Sequence, residues 1–307
     1  MSEIVICEFM DEAAIRVFEG RDVRYDPKLV DRPAELLASL IDCRALIVRN
    51  RTQVRGELLA AAPSLKVVGR LGVGLDNIDV DACAARGVLV RPASGANDLA
   101  VVEYVLTAAL LLLRRAWFAS DAVAAGEWPR MALIGREAEG KRLGLVGFGA
   151  IARRTATKAA ALGFRLAAFD PLLPARDPAW QGAERMDLPS LLATSDVVSL
   201  HVPLTVQTRG MIDAAAIAGM KRGAILINAA RGGIVDEAPL VQALRSGHLG
   251  GAALDVFDKE PLGVAEGAMF VGVPNLILTP HIAGVTEESN VRVSWAVAEA
   301  VAMALGA

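Results

Sequence analysis

The sequence predicts an α/β protein with two domains, each a parallel sheet covered by helices on both faces. Hydrophobic residues make up 54% of the 307 residues and aromatic residues only 5%. The interior must therefore consist of Ala, Val, Leu and Ile side chains, which is typical of buried parallel sheets. Short β-branched runs alternate with helical patterns along most of the chain, which is the order of βαβ units. At about 100 to 200 residues per domain, the length predicts two domains.

The first series of elements ends before residue 97. Apolar runs and periodic segments predict, in order, a strand at 4–7, a helix at 12–19, a strand at 45–48, a helix at 54–62, a strand at 67–68, a helix at 81–86 and a strand at 88–90. We place the end of this domain at residues 92–97. Residues 97–115 then predict a long helix, because Asn97 and Asp98 can cap its first turn.

A second series follows a polar connection at residues 126–141. The pattern predicts a strand at 142–146, a helix at 151–161, a strand at 166–169, a helix at 188–194, strands at 197–202 and 224–228, a helix at 238–245, and strands at 252–257 and 276–278. This series is long enough for a complete doubly wound domain. Residues 287–305 predict one more helix, which must pack on a domain already formed because no strand follows it.

Charge and hydropathy argue against several functional classes. The formal net charge of −3 gives no electrostatic reason to bind nucleic acid or an anionic membrane. The longest apolar run, 99–113, is interrupted by Glu103 and is shorter than the roughly 20 residues needed to span a bilayer. The first residues lack the basic start, apolar stretch and cleavage site of a secretion signal. We therefore expect a cytoplasmic protein that binds small molecules.

The cysteines and histidines predict neither disulfides nor a metal site. The cysteines are odd in number and widely spaced in apolar surroundings, which is typical of buried thiols; they are Cys7, Cys43 and Cys83. The histidines do not form a cluster with metal-ligand spacing; they are His201, His248 and His281.

Residues 143–152 predict a strand, a glycine-rich turn and a helix. Gly147 permits the tight turn, and Gly149 lets the backbone approach a pyrophosphate at the helix N-terminus, where Ala150 and Ile151 begin the helix. Ala152 takes the third position of this pattern, where a small side chain allows the helix to pack closely on the strand. The pattern predicts a dinucleotide site.

Asp170 lies at the end of the next predicted strand, 18 positions after Ala152. An acid there can accept hydrogen bonds from ribose hydroxyls and would repel a 2′-phosphate, which favours NAD over NADP. Arg153 and Arg154 could accommodate such a phosphate, but their positions inside the helix argue against it. The alternative is an ordinary strand-to-helix turn with Asp170 as a cap.

Three chemically suitable side chains follow three predicted strands. His281 follows the strand at 276–278, Arg231 follows the strand at 224–228, and Glu260 follows the strand at 252–257. Open α/β sheets bind ligands at the carboxyl ends of their strands. A base, a cation for a carboxylate and an acid that fixes the state of the base are the groups that hydride transfer from a hydroxy acid requires. Taken singly, each could be an ordinary loop or surface residue.

Six stretches together carry a family resemblance. They are GVGLDNID at 72–79, the turn at 147–152, 195–205 with LHVPLT at its end, NAARGGIVD at 228–236, ALDVF at 253–257 with Glu260-Pro261, and TPHIAG at 279–284. In these stretches and in their order the chain resembles the D-isomer-specific 2-hydroxyacid dehydrogenases, a family with phosphoglycerate, glycerate and hydroxypyruvate-type enzymes.

The resemblance implies an NAD-dependent oxidoreductase that interconverts a small 2-hydroxy acid and its 2-oxo acid. His281 would be the acid/base, with Glu260 fixing its tautomer, and Arg231 would hold the substrate carboxylate. The backbone amides around Val73 and Gly74 would bind the other side of that carboxylate. The implied cofactor contacts are Gly147, Gly149, Ala150, Ile151, Asp170, His201, Pro203, Thr208, Ala229, Ala230, Arg231, Asp255, His281 and Gly284. Asp255 would orient the nicotinamide carboxamide, and His201 would line the cofactor site without doing chemistry.

The resemblance also implies the architecture. Residues 1–96 with 285–307 would form the substrate domain and 97–284 the NAD-binding domain, both Rossmann-like or flavodoxin-like, with a cleft that closes on the substrate. Members of the family commonly dimerise through the nucleotide domain and its long helix, so we expect a homodimer.

Arginines after two strands of the first domain predict an anion on C3 of the substrate. The candidates are Arg49, Asn50, Arg51 and Thr52 after the strand at 45–48, and Arg70 beside the predicted carboxylate loop. Phosphoglycerate-type enzymes are similar at Arg49 and Arg70, and residues 7–14 and 283–289 are similar to bacterial sulfolactate dehydrogenases. The predicted substrate is therefore 3-sulfolactate or 3-phosphoglycerate. The alternative is that the arginines form surface pairs and that the enzyme is a general glyoxylate or hydroxypyruvate reductase.

Two other interpretations stay open. Some proteins of this fold are NAD-sensing binding modules without catalysis. Phosphite and formate dehydrogenases use the same scaffold, but the pairing of Glu260 with His281 argues against the formate type, in which a glutamine usually replaces the carboxylate.

Overall fold

The computed structural model describes residues 2–306, apart from the side chain of Trp117. These residues form two compact units, one of the residues up to Asn97 together with those from Val285 onward, and the other of Asp98–Gly284. Asn97, which the sequence assigned to the second domain, lies in the first unit. Within the described chain, no helix combines the length and the hydropathy needed to cross a membrane.

The strands are β1 (Ile4–Ile6), β2 (Val23–Tyr25), β3 (Ala45–Val48), β4 (Val67–Arg70), β5 (Leu89–Pro92), β6 (Arg142–Val146), β7 (Arg165–Phe169), β8 (Glu184–Arg185), β9 (Val197–Leu200), β10 (Ile225–Asn228), β11 (Gly251–Leu254) and β12 (Leu276–Leu278).

The α-helices are α1 (Glu12–Ile15), α2 (Pro33–Ser39), α3 (Gly56–Ala60), α4 (Val80–Ala85), α5 (Asp98–Arg114), α6 (Ser120–Ala124), α7 (Ala150–Ala161), α8 (Leu188–Thr194), α9 (Ala214–Gly219), α10 (Glu237–Arg245), α11 (Val264–Gly267) and α12 (Glu287–Leu305). Short 3-10 helices lie at Arg16–Phe18, Leu29–Asp31, Ala116–Phe118, Pro178–Trp180 and Ala268–Phe270.

The first unit is built on a five-stranded sheet in the order β2-β1-β3-β4-β5. Every pair of neighbouring strands is parallel. The three central strands β1, β3 and β4 are buried along almost their whole length, because helices cover both faces. As a result, the loops that follow β3 and β4 lie side by side at the carboxyl edge of the sheet.

The terminal helix α12 belongs to this first unit. Thr286 caps its N-terminus in a capping box with Ser289. Its side chains Val297 and Val301 pack so closely on β4 that a Cβ placed on Gly69 would lie 2.7 Å from each of them. Gly69 therefore stands in the middle of a buried strand because the helix leaves no room for a side chain there.

The second unit is built on a seven-stranded parallel sheet in the order β12-β11-β10-β9-β6-β7-β8. The strand order reverses beside β6, which has β7 on one side and β9 on the other. This is the doubly wound order whose ligands bind beyond the carboxyl ends of the strands at the reversal. The predicted fold class, two parallel-sheet α/β domains, is confirmed.

Several element bounds differ from the sequence predictions. The pattern missed β2 because only three residues, with Arg24 in the middle, form this edge strand. It also extended β9 and β11 too far, since the strands end at Leu200 and Leu254. The apolar residues that follow each of these two strands instead begin loops that carry predicted site residues.

Candidate active site

The three predicted catalytic residues follow three neighbouring strands of the second unit. Arg231 lies in the loop after β10, Glu260 in the loop after β11 and His281 in the loop after β12. Because β10, β11 and β12 are adjacent and parallel, these loops share one edge of the sheet. The structure therefore brings the three residues to one region, as the sequence predicted from strand ends alone.

His281 and Glu260 form a direct pair. Nδ1 of His281 lies 2.7 Å from Oε2 of Glu260, and both side chains are partly exposed. The second carboxylate oxygen, Oε1, accepts a hydrogen bond of 2.9 Å from the backbone amide of Phe257. A carboxylate can only accept, so Nδ1 of His281 carries a hydrogen. Nε2 is then the ring nitrogen that can exchange a proton with a ligand.

The environment of Glu260 keeps it ionised. Burial raises the pKa of this carboxyl, but the hydrogen bonds from His281 and Phe257 and the charge of Arg231 outweigh burial, so the pKa lies below its ordinary value of 4.5. Glu260 is therefore negatively charged near neutral pH, and its charge stabilises the imidazolium form of His281.

Asp255 holds the loop that carries His281. Its buried carboxylate accepts hydrogen bonds from the amides of Ile282 and Ala283, at 2.8 and 2.7 Å, and from Oγ1 of Thr279 at 2.6 Å. The amide of His281 donates to the carbonyl of Asp255 at 2.8 Å. These bonds fix a left-handed backbone at His281, with φ of 57°, which a residue with a side chain adopts only when its surroundings impose it. The role of Asp255 toward a nicotinamide, implied by resemblance, stays a prediction.

Tyr104 of α5 extends this network, and the sequence analysis missed it. Its hydroxyl lies 2.6 Å from Oγ1 of Thr279, and since that oxygen donates to Asp255, the Tyr104 hydroxyl is the donor. Burial raises the pKa of Tyr104 to about 12, so the hydroxyl keeps its proton. Nothing in the apolar sequence of α5 marks Tyr104, because its partner lies 175 residues away.

The loop of Arg231 is shaped by Asn228. The buried side chain of Asn228 donates to the Arg231 carbonyl at 2.9 Å and accepts from the Ala230 amide at 3.1 Å. A Cβ on Gly232 would lie 1.7 Å from the Phe257 carbonyl oxygen. The loops after β10 and β11 therefore touch backbone to backbone, which only glycine permits, and this contact brings Arg231 close to Glu260.

The glycine-rich turn has the geometry of an anion site. Gly147 has φ of 86°, and a Cβ there would lie 2.6 Å from the His201 carbonyl oxygen, so the turn needs glycine. Gly149 is the N-cap of α7, and the space around its Cβ position is open. Helix N-termini stabilise phosphate groups, and the open space at Gly149 leaves the first residues of α7, Ala150 and Ile151, accessible to an anion.

Asp170 lies at the end of β7, next to this turn. Its carboxylate accepts hydrogen bonds of 2.9 Å from the amides of Phe148 and Leu172. Asp170 thus fixes the turn that the sequence assigned to the dinucleotide, and its negative charge lies where a ribose is expected.

The remaining predicted cofactor residues fall in loops at the same edge. His201 follows β9, and its Nε2 lies 3.0 Å from Oγ of Ser199. Burial lowers the pKa of His201 to about 4, so this ring is neutral and cannot serve as an acid near neutral pH. The others are Pro203 and Thr208 in the loop after β9, Ala229 and Ala230 after β10, and Gly284 after β12. Among residues 2–306, no three His, Cys, Asp or Glu side chains are arranged to hold a metal ion.

The other predicted substrate residues, besides Arg231 and His281, lie in the first unit. Arg49, Asn50 and Arg51 follow β3, and Val73 and Gly74 lie in the loop after β4. Arg70, the last residue of β4, donates from Nη1 to the Leu71 carbonyl at 2.9 Å. A Cβ on Gly72 would lie 1.6 Å from that Nη1. The guanidinium of Arg70 thus lies against the backbone of the loop that would bind the carboxylate.

Arg49 and Arg51 have different surroundings. Arg51 is exposed and forms an ion pair with Asp31. Arg49 is half-buried, with its guanidinium 5.5 Å from the centre of the Phe9 ring and hydrogen-bonded to Oδ1 of Asn290. No carboxylate among the described residues forms an ion pair with Arg49. The surface-pair alternative therefore describes Arg51 but not Arg49.

Fold and site together define an NAD-dependent oxidoreductase, and comparisons with known proteins identify its family. Residues 106–283 match the family described as D-isomer specific 2-hydroxyacid dehydrogenase, NAD binding domain. The chain is 56% identical to (S)-sulfolactate dehydrogenase of Chromohalobacter salexigens, over the whole chain and 99% of that protein. It is 43% identical to D-3-phosphoglycerate dehydrogenase of Mycobacterium leprae over 99% of the chain, but covers only 55% of that protein.

A solved structure agrees with this assignment. The D-lactate dehydrogenase of Aquifex aeolicus, complexed with NAD and lactic acid, superposes with a TM-score of 0.85 at 27% identity and covers 97% of this chain and 94% of its own. The chain belongs to the D-isomer-specific 2-hydroxyacid dehydrogenase family. It is an NAD-dependent enzyme that interconverts 2-hydroxy and 2-oxo acids.

Proposed function

We propose that the substrate carries an anionic group on C3 and that it is 3-sulfolactate, with 3-sulfopyruvate as its oxidised partner. The main support for this proposal is the environment of Arg49. Its half-buried guanidinium is held by Phe9 and Asn290 and forms no ion pair with a carboxylate of the described chain. The charge of Glu8 stabilises this half-buried guanidinium from beyond ion-pair distance, and no carboxylate contacts it directly, so a site of this kind favours an anionic ligand. The similarity to a sulfolactate dehydrogenase over the whole chain supports the same substrate.

Phosphate on C3 is the second candidate. Arginine binds sulfonate and phosphate through the same planar array of donors, so Arg49 does not by itself separate the two. The 56% identity to the sulfolactate enzyme, against 43% to the phosphoglycerate enzyme, favours the sulfonate.

The catalytic roles follow from the contacts in the second unit. In the reducing direction His281, paired with Glu260, donates the proton on Nε2 to the C2 oxygen of the 2-oxo acid. Arg231 binds the C1 carboxylate and polarises the C2 carbonyl. Bound NADH supplies the hydride that reaches C2. In the oxidising direction His281 accepts the hydroxyl proton, and Glu260 stabilises the imidazolium that results.

The residues that hold the dinucleotide are those of the glycine-rich turn. The N-terminus of α7 with Gly149 would bind the pyrophosphate, and Asp170 would accept hydrogen bonds from the adenosine ribose. A carboxylate at this position repels a 2′-phosphate, which supports NAD rather than NADP.

The D specificity of the family and the (S) in the relative's name describe one arrangement at C2. In lactate the carboxyl carbon outranks the methyl group, so the D form is R. In 3-sulfolactate the carbon that bears sulfur outranks the carboxyl carbon, so the same arrangement is named S. We therefore propose (S)-3-sulfolactate as the product of reduction, which chiral chromatography of the product can test.

We also propose that the enzyme is a cytoplasmic homodimer that pairs through its NAD-binding unit. Support for the dimer comes from three apolar side chains after α6, Trp128, Met131 and Ile134, which are 75%, 81% and 62% exposed. Neighbouring exposed apolar side chains mark interaction surfaces. Light scattering should give the mass of a dimer, and Met131→Lys should weaken the dimer.

The cytoplasmic location is supported by the three free, buried cysteines, because thiols stay reduced in that compartment.

The substrate is tested by NADH oxidation with 3-sulfopyruvate, 3-phosphohydroxypyruvate, hydroxypyruvate and glyoxylate at equal concentrations. We expect kcat/KM to be highest with 3-sulfopyruvate. Equal low rates with all four acids would indicate a general 2-oxo acid reductase and contradict the proposal. A preference for 3-phosphohydroxypyruvate would keep the anionic pocket and replace the sulfonate by a phosphate.

A further inference from the structure

A buried carboxylate lies beneath the loop that carries Arg49. Glu8, which directly follows the buried residues of β1 and Cys7, is 4% exposed. Its Oε1 accepts hydrogen bonds from the amides of Arg49 and Thr52, at 2.9 and 3.0 Å, and its Oε2 accepts from the amide of Arg51 at 3.2 Å. One side chain therefore binds three of the four backbone amides of residues 49–52.

Asn77 holds the same loop by donating to two of the loop's backbone carbonyl groups. Its buried carboxamide donates to the Thr52 carbonyl at 2.7 Å and to the Arg49 carbonyl at 3.1 Å. Glu8 can only accept and the amide nitrogen of Asn77 can only donate, so the two side chains complement each other. The irregular backbone of this loop is thus built on buried polar side chains from two distant segments.

This arrangement leaves specific groups for a ligand. The amide of Asn50 makes no hydrogen bond within the described chain, and Asn50 is exposed. The guanidinium of Arg49 is fixed against Phe9 and Asn290. Arg51 is held at the surface by Asp31. The loop therefore offers the Arg49 guanidinium in a fixed position.

We infer that Glu8 and Asn77 are positioning residues that set substrate specificity by holding the 49–52 loop in the conformation that binds the C3 anion. The inference rests on the proposed function, in which Arg49 is the ligand of that anion. A side chain that is already fixed before the ligand binds avoids the entropic cost of ordering a loop and a long side chain. It therefore binds the ligand more tightly than a mobile side chain does. Both side chains are buried and bond to the backbone of Arg49, so their effect on the substrate would pass through Arg49.

Glu8→Gln tests this directly. Its amide oxygen can still accept from Arg49 and Thr52, but its NH₂ group would face the Arg51 amide, so two donors would meet and the loop would shift. We expect KM for 3-sulfopyruvate to rise at least about tenfold. For glyoxylate, which has no C3 group, KM and kcat should stay within about twofold of wild type.

A matched control and a second variant complete the experiment. Glu3→Gln makes the same change of charge in the same unit, at a side chain paired with Arg21 and Arg44, and should leave both substrates unaffected. Asn77→Ala removes only the two bonds to carbonyls, so it should fold even where Glu8→Gln does not, and it should show the same selective rise in KM. Hydrogen exchange should accelerate at the amides of Arg49, Arg51 and Thr52 in Glu8→Gln.

The possible outcomes separate this inference from the proposed function. If the wild type does not prefer 3-sulfopyruvate or 3-phosphohydroxypyruvate over glyoxylate, the anionic substrate is wrong and the inference fails with it. If the wild type shows the preference and both loop variants keep it, or lose activity equally on both substrates, the inference alone is overturned. Unchanged exchange of the three amides in Glu8→Gln would also overturn it.

Discussion

Nδ1 of His281 lies 2.7 Å from Oε2 of Glu260, and this contact joins the loops after two adjacent strands. The pair fixes the tautomer of His281 and, in the proposed mechanism, places a negative charge beside an imidazole that becomes positive during turnover. Glu260 carries that negative charge because His281, Phe257 and Arg231 stabilise its carboxylate and lower its pKa despite burial.

Glu260→Gln should lower the rate of reduction. The lowered pKa keeps wild-type Glu260 charged above its ordinary value of 4.5, and the charge is lost only as pH falls through the lower folded pKa. Without that charge the proton donor loses a stabilising neighbour, so kcat/KM for reduction should fall about tenfold wherever wild-type Glu260 is charged. The measurement is kcat/KM for reduction from about pH 5 to about pH 9.

His281→Ala serves as the reference for that profile. It should lower turnover by roughly 10² to 10⁴ at every pH, because the proton donor is absent. A Glu260→Gln variant with the wild-type kcat/KM across this pH range would contradict the role given to the charge of Glu260.

Arg49 and Arg51 should respond differently to truncation. Arg49→Ala should raise KM for 3-sulfopyruvate by about 10² or more, since it removes a charge-assisted interaction with the C3 group. Arg51→Ala should change it by less than about threefold, because the exposed pair with Asp31 contributes little. Steady-state kinetics with glyoxylate as the second substrate checks both, and a larger effect at Arg51 would reverse the assignment.

Tyr104→Phe should lower turnover more than stability. Deleting the hydroxyl removes one hydrogen bond to Thr279, worth about 1 kcal/mol, and loosens the Asp255 network that holds His281. We expect kcat to fall about threefold or more with KM unchanged. Tyr25→Phe is the control, since its hydroxyl donates to the Met10 carbonyl in the first unit. Equal effects on kcat in the two variants would show that Tyr104 acts on general stability only.

Asp170→Ser should relax cofactor choice. Removing the carboxylate removes the repulsion of a 2′-phosphate, so the ratio of kcat/KM for NADPH to that for NADH should rise at least about tenfold. Activity with NADH should fall as well, because Asp170 also holds the Phe148 and Leu172 amides of the turn. An unchanged ratio would place cofactor selection elsewhere.

Gly69→Ala should destabilise the first unit. The added Cβ would meet Val297 and Val301 at 2.7 Å, and overpacking of this kind costs about 1 to 3 kcal/mol of unfolding free energy. Gly219→Ala is the matched control, because no atom lies within 4 Å of its Cβ position. Chemical denaturation compares the two, and equal midpoints would mean that α12 packs less closely on β4 than described.

Much of the site could be predicted from local sequence. Gly147 and Gly149 mark a turn between a strand and a helix, and the structure shows a left-handed φ at the first and a helix N-cap at the second. His281, Glu260 and Arg231 each follow an apolar run, and parallel pairing brings such positions to one edge. These signals are readable because each depends on residues within a few positions of one another.

The sequence was less informative where two residues of the same type have different surroundings in the structure. Arg49 and Arg51 are two positions apart with the same side chain, and no pattern distinguishes them. One packs over Phe9 and the other pairs with Asp31 because the loop backbone points the two side chains differently. Short edge strands such as β2 were missed because an exposed edge needs no continuous apolar run.

The sequence by itself determined the two α/β domains, the glycine-rich turn and the placement of the proposed catalytic residues at neighbouring strand ends, because periodicity, glycine placement and strand ends are local properties of the chain. Only the tertiary structure decided how those residues are held. Glu8 meets Arg49 across 41 residues, and Tyr104 meets Thr279 across 175. Such contacts depend on which strands become neighbours, and hydrogen bonds between buried side chains and distant backbone leave no periodic signal in the sequence.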